Sequence, residues 1–351
     1  MRGGLERWKR GSESRGIRNA IAYALEGSCD AQVPVSGADA LERYADSGDA
    51  GVTRFIVADG AITSDRLTGP GLRVWLSGHD PVTGEERGKT LLRPDADLLL
   101  DGTLNHPKSF SIAALLHPEL TIELEALQDR VRNRILLLWQ QELNARRGHG
   151  GLIRESIARL EVVELVHRRS RALDPHAHRH LWLNIKVQGA DGRWTNVDSR
   201  VAMKVHTLVN AEGELAARSD PEWVDALARH GYTLDCDGEI AELAGVVRPF
   251  SRRSAQTEAN RSRLTAGWSA GHEGRMPSLE VLAQIDRRAW ATSRPNKPAL
   301  LDEESWEVAV REELAAIDPG LLIPRTPVSI AMPSLDTLGH RDAGSFSSGR
   351  R

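Results

Sequence analysis

The chain has 351 residues, 46 Lys or Arg against 49 Asp or Glu, and a formal charge of −3. Forty per cent hydrophobic and 27% charged residues describe a globular protein with enough chain for one large domain or two ordinary ones. Two cysteines, Cys29 and Cys236, exclude a disulfide framework and a CxxC metal pair, and point to a reducing cytoplasm.

The basic start, "MRGGLERWKRGSESRG", lacks the apolar stretch of a signal peptide, and no apolar run is long enough to span a bilayer, so no membrane insertion is expected. "GEERGKT" (84–90) imitates a phosphate loop, but only three residues separate Gly84 from Gly88, and no nucleotide cofactor is expected. Residues 118–146 form a predicted amphipathic helix, with Leu120, Leu124, Leu127, Val131 and Leu138 on one face, Pro118 near its start and Gly148 to Gly151 past its end. Val- and Leu-rich residues 158–167 predict a buried strand, and 180–187 alternate strictly, as a strand does. "GADGRW" (189–194) reads as a turn into another short strand. Residues 198–232 are expected to be helical, at least over "SDPEWVDALARHGY", with Ser219 or Asp220 as the cap and Gly231 at the end. Residues 271–278 read as a linker, 301–316 as a helix and the tail from 335 as disordered. The pattern leaves α/β and α+β both open.

Charge is unevenly spread. Residues 130–204 carry fifteen Lys or Arg against seven Asp or Glu, which fits a local phosphate-binding surface. The same region holds His167, His176, His178 and His180. In a strand His176, His178, His180, Trp182, Asn184 and Lys186 share one face, while Leu181, Leu183, Ile185 and Val187 turn to the core. His167 ends the preceding strand, ten residues before His178, a gap that allows an antiparallel return. Three imidazoles can then meet, the pattern of a catalytic metal site with open positions. Both "HAH" and "HRH" offer the pair. A cupin-type site would need a glutamate after its HxH, which is missing.

These residues resemble the three-histidine motif of conjugative relaxases of the TrwC/TraI type, within the HUH endonucleases. Asp174, Pro175, His178, His180 and Asn184 fill that motif, and the resemblance implies His167, His178 and His180 as metal ligands, with His176 outside the set. "DGTLNHPKSFS" resembles a second family segment through Asp101, Thr103, Pro107, Lys108, Ser109 and Ser111. Weaker matches run in order from about residue 78 to 300, among them "DGRW" (191–194), "HGY" (230–232), "FSRRS" (250–254) and "ATSRPNK" (291–297).

The resemblance implies an α+β relaxase fold with a central antiparallel sheet of about five strands flanked by helices. It implies a relaxase domain over 1–270, a helical extension over 271–334 and a tail over 335–351. It also implies a divalent ion (Mg, Mn or Zn), single-stranded DNA at an origin of transfer and accessory relaxosome proteins as partners. A tyrosine would attack a DNA phosphate, leaving a 5′-phosphotyrosine link. Tyr23 matches the first family tyrosine and Tyr44 the second, and Tyr23 is favoured. The family has paired tyrosines there, whereas this chain has single ones, and the opening β-strand expected in 1–17 is faint. Asp101 is expected to orient a ligating histidine or to receive the tyrosine proton. Lys108, Arg168, Arg169, Arg171, Lys186, Arg200, Lys204, Arg252 and Arg253 are the expected phosphate contacts. The rival readings are a rolling-circle replication initiator and a relaxase-like DNA-binding protein with weak cleavage.

Overall fold

The structure is a computed structural model that describes residues 4–25, 51–170, 172–292 and 303–328. Tyr44, Arg171 and the tail from 335 lie outside the described residues.

In chain order the elements are β1 (Leu5–Lys9), α1 (Arg15–Leu25), β2 (Gly51–Ala58), β3 (Ala61–Thr68), α2 (Gly69–Leu76), β4 (Asp97–Asn105), α3 (Lys108–Leu116), α4 (Pro118–Glu142), β5 (Asn144–Arg147), β6 (Ile153–Arg169), β7 (Pro175–Asn184), β8 (Lys186–Gly189) and β9 (Trp194–Asn196). The helices that follow among the described residues are α5 (Ser199–Ser219), α6 (Pro221–Arg229), α7 (Ala244–Val247), α8 (Arg252–Ala270), α9 (Leu279–Thr292) and α10 (Glu303–Ile317).

The sheet runs β1-β4-β7-β6-β2-β3 and its pairings are antiparallel. Among the described residues it has nine strands rather than about five. The three strands off that path have one cause, since β5 and β8 pair with β6 and β9 pairs with β8. β6 is 17 residues long, so its second half pairs with β7 while its first half pairs with β5 and β8.

Helices cover both faces. Leu120, Leu124, Leu127, Val131 and Ile135 of α4 share a core with Leu100 and Leu104 of β4, Leu160 and Val162 of β6, and Leu181 and Leu183 of β7. Trp306, Val310 and Leu314 of α10 join that core. On the opposite face Ile17, Ala20 and Ile21 of α1 and Leu72, Trp75 and Leu76 of α2 pack on Leu99, Val163, Leu165 and Trp182. Burial on both faces explains why β4 shows an apolar run, Leu98 to Leu100, instead of alternation.

The faint opening strand is present, since Leu5 to Lys9 pair with β4. Its turn into α1 needs a glycine at position 16, where a Cβ would lie 1.9 Å from the Lys9 carbonyl oxygen. Residues 198–232 hold two helices that meet at Asp220. Pro221 starts the second, and the Asp220 side chain caps it by accepting from the Trp223 N–H. The alternating run 180–187 breaks at Ile185, where Asn184 accepts from the Lys186 N–H (2.8 Å) and donates to the Trp75 carbonyl (3.3 Å).

Each sheet face also buries an ion cluster. Glu161 is fully buried and accepts from Arg87 (2.7 and 2.9 Å), Arg54 (3.2 Å), Arg159 (2.7 Å) and the Trp75 indole (2.8 Å). Burial pushes this carboxyl up, but the guanidinium groups outweigh that and hold it below its usual range. On the α4 face Glu164 accepts from Arg132 (3.1 Å) and Arg179 (2.9 Å). Replacing Glu161 with Gln removes the one carboxylate shared by the buried guanidinium groups of Arg54 and Arg87 and leaves them only Asp65 and Asp80 at the margin. It should cost about 3–5 kcal/mol, read as a lower urea midpoint with an unchanged slope; an unchanged midpoint would refute the role given to this cluster.

Candidate functional site

The site lies on the α1-covered face, where β4, β6 and β7 run side by side. His167 of β6 pairs in register with His178 of β7, and His180 follows two residues on. The period of two turns His178 and His180 to the same face as Trp182. Their ring centroids form a near-equilateral triangle: His167–His178 5.1 Å, His167–His180 5.3 Å, His178–His180 5.4 Å. His176 is on the same face but stacks on His178 at 4.6 Å and 23°, outside the triangle. Of the two possible pairs, "HRH" is the one that converges with His167.

Hydrogen bonds orient the rings. His180 Nδ1 lies 2.9 and 3.1 Å from the Asp101 carboxylate oxygens, so it carries the proton and donates. His178 Nδ1 donates to the His176 carbonyl at 2.7 Å. Both rings therefore present an Nε2 lone pair. Burial, reinforced by the neighbouring imidazoles, holds His178 well below its ordinary pKa, in the neutral form that binds metals.

The Tyr23 hydroxyl is 2.9 Å from His180 Nε2, to which it donates. Its ring is enclosed by Trp8 (5.4 Å, edge-on), Trp182 (5.8 Å), His167 (6.0 Å) and His180 (5.4 Å). Asp101 thus fixes the orientation of the His180 ring, while the phenol meets His180 instead of the carboxylate. The two indoles were not singled out from the sequence as site residues. Trp182 could have been found, because alternation puts it on the histidine face; Trp8 carries no such signal.

A metal would find suitable donors here. Metal–nitrogen bonds of about 2.1 Å at tetrahedral angles put imidazole centroids roughly 5 Å apart, the spacing of the triangle. In the structure the phenol takes up the His180 lone pair, and among the described residues no three donors close on a point.

The serines of the 107–111 segment hold the neighbourhood together. Ser111 Oγ accepts from the Ala177 N–H (2.9 Å), between His176 and His178, and Ser109 Oγ accepts from the Ile240 N–H (2.9 Å). Asp174, 1% exposed, accepts from the Arg252 N–H (3.0 Å) and its guanidinium (3.1 Å), which ties the start of α8 to the start of β7.

The expected phosphate contacts are scattered. Lys108 donates to the Pro175 carbonyl (2.8 Å), and burial lowers its pKa to about 8. Burial holds His176 well below its ordinary pKa, and Arg253 is near enough to add to that. Arg168 pairs with Glu303 and with Glu307 (3.0 Å), Arg252 with Glu313, and Arg169 covers the Trp306 ring at 5.4 Å. Lys186 is 2% exposed and donates to the Lys89 carbonyl. Arg200 lines a cavity of about 460 Å³ with Arg7, Arg93 and Arg146, and Lys204 is exposed on α5. The structure does not bring this set to one place.

Residues 43–317 match the sequence model of a family described as TrwC relaxase. No curated protein matches. Among solved structures, the metal-bound conjugative relaxase TrwC in complex with oriT DNA aligns with a TM-score of 0.60 and 22% identity over 89% of this chain and 98% of that one. The metal-free structure of that complex gives 0.60, 22%, 90% and 99%. TrwC complexed with a 27-mer comprising the recognition hairpin and cleavage site gives 0.60, 21%, 91% and 98%. The α+β architecture expected from the sequence is the one shared with these structures.

The buried imidazoles make stability pH-dependent. His106, buried on the α4 side, is pushed down to about 3 by desolvation, and His178 is lowered too. Both stay neutral in the fold, while the unfolded chain takes up protons below its ordinary value. Their stabilisation is therefore full above pH ~6.5 and is lost as pH falls below it, at up to about 1.4 kcal/mol per pH unit for each. Urea unfolding in EDTA at pH 7.5 and 5.5 should show this loss, reduced in His106→Phe; an equal loss in the variant would refute the assignment.

Proposed function

This chain belongs to the TrwC relaxase family, and from that membership we propose that it nicks one strand of origin-of-transfer DNA with Tyr23 as the nucleophile. The observation that carries the reading is the Tyr23 hydroxyl, held 2.9 Å from His180 Nε2 at the edge of the three-imidazole triangle. The complexes of TrwC with oriT DNA support the substrate, and their metal-bound form supports a divalent ion.

A free phenol has a pKa near ~10 and is a weak nucleophile until its proton is drawn away. His180 is placed to draw it, and Asp101 stabilises the charge that this puts on the ring. The Tyr23 oxygen attacks phosphorus, the bond to the 3′ oxygen breaks, and that oxygen leaves with the proton His180 took from the phenol. The 5′ end remains on the protein as a phosphotyrosine ester, which stores the bond for rejoining. His167, His178 and His180 would hold the ion, which when bound neutralises the non-bridging phosphate oxygens and orients the phosphorus. The Nε2 lone pair of His180 serves the phenol or a cation, not both at once, so while His180 holds the phenol's proton His167 and His178 would carry the ion, and His180 would join them once that proton has left. Lys108, Arg168, Arg169, Arg252 and Arg253 are proposed to contact phosphates around the site, with Arg200 and Lys204 further off.

Incubation with labelled single-stranded origin DNA and a divalent ion should give a covalent adduct with the wild type and none with Tyr23→Phe. His178→Ala should lose cleavage by about a hundredfold or more while binding DNA almost as well. An undiminished adduct from Tyr23→Phe overturns the nucleophile, and an equal loss of binding and cleavage in His178→Ala makes that histidine structural.

Competition at His180 gives a second test. In calorimetric titration with Mn or Zn, Tyr23→Phe should bind the ion severalfold more tightly than the wild type. Weaker binding by Tyr23→Phe would contradict the arrangement.

A further inference from the structure

Trp8 stands where the mechanism has not used it. It lies on the edge strand β1, opposite Leu99 of β4, two residues from the Glu6–Asp101 pair. Its ring meets Tyr23 edge-on at 5.4 Å and rests on Trp182 at 5.3 Å. Trp182 is fully buried, whereas Trp8 keeps part of its surface in water. The apolar cluster beneath is closed by Leu98, Leu99, Trp182 and the α1 residues, and Trp8 packs only on its margin. A partly wet indole at that margin, propped by Trp182 and set against the Tyr23 ring, is built like a platform.

We infer that Trp8 is a specificity-determining residue that stacks on a nucleobase flanking the scissile phosphate. The inference rests on the proposed role of Tyr23. A phosphate within reach of its hydroxyl carries bases on both sides, each about a sugar's length away, which is the scale of the 5.4 Å between the Tyr23 and Trp8 rings. Stacking on an aromatic face is available to every base and needs no hydrogen-bond partner. Trp8 then does two things with one ring: its edge limits how far the phenol can tilt, and its open face fixes the nucleotide so that the phosphorus meets the hydroxyl. Purines, with the larger face, should be favoured at that position.

The test uses a single-stranded oligonucleotide recovered as a covalent adduct from a random pool, and two copies of it with an abasic site immediately 5′ or 3′ of the mapped nick. Single-turnover kcat/KM is measured for the wild type, Trp8→Phe, Trp8→Leu and Trp8→Ala. On intact DNA, Trp8→Leu and Trp8→Ala should fall about tenfold or more, and Trp8→Phe should stay within about threefold. On one of the two abasic strands the wild type should fall to the level of Trp8→Leu, so that the difference between them vanishes. Trp8→Leu fills the apolar margin without a stacking face, and a merely structural role predicts that it behaves as the wild type. That result overturns the inference, as does a loss of equal factor on all three strands. If the wild type forms no adduct with any strand in the pool, the nicking reading itself fails and the inference falls with it. If the adduct forms and the Trp8 variants act as the wild type, the inference falls alone.

Discussion

The register of β6 against β7 is the constraint on which the site depends. With His167 opposite His178, three imidazoles face α1 at nearly equal separations. A slip of one residue in β7 would send His178 and His180 to the α4 side and bring Leu181 and Leu183 to the site. Burial on both faces prevents this. Leu181 and Leu183 are locked into the α4 core, and Trp182 into the α1 core. The flanking ion clusters act in the same direction, since Arg179 needs Glu164 on one face and Glu161 needs Arg54 and Arg87 on the other.

The phenol arrives by a separate route. β1 adds to the outer side of β4, the chain turns tightly at Gly16, and α1 runs back over the sheet with Ile17, Ala20 and Ile21 buried. Tyr23 comes next to the buried face of that helix and reaches His180. Asp101 comes from β4, the strand between β1 and β7, and secures the other side of the same ring. Phenol, histidine and carboxylate thus come from three neighbouring parts of one sheet face, and the start of β7 is held by Asp174 and Arg252.

Much of this was legible in the sequence because it is local. Ten residues between His167 and His178 are enough for an antiparallel return, and alternation assigns the faces of β7. Asp101 and Tyr23 were found through family resemblance, not spacing, since they lie 79 and 157 residues from His180. The β1 strand was faint because its burial comes from β4 and not from its own pattern; of its five residues only Leu5 is buried. The same long-range pairing hid Trp8. The phosphate contacts were the least legible. An arginine in sequence does not reveal whether a carboxylate already holds it, and Arg168 and Arg252 are held by glutamates of α10, 61 to 139 residues away. Lys186 looked like a cation on the histidine face, yet the break at Ile185 turns it toward the Lys89 carbonyl.

The central claim is that the Tyr23 oxygen becomes bonded to DNA. Trypsin separates the two tyrosines closest to the N-terminus, since Arg18 and Arg43 bound one peptide, with Tyr23, and Arg43 and Arg54 bound the next, with Tyr44. Mass spectrometry of the nuclease-trimmed adduct should place the nucleotide mass on the first peptide, with fragment ions assigning it to Tyr23. Nucleotide mass on the second peptide, at Tyr44, would contradict the account.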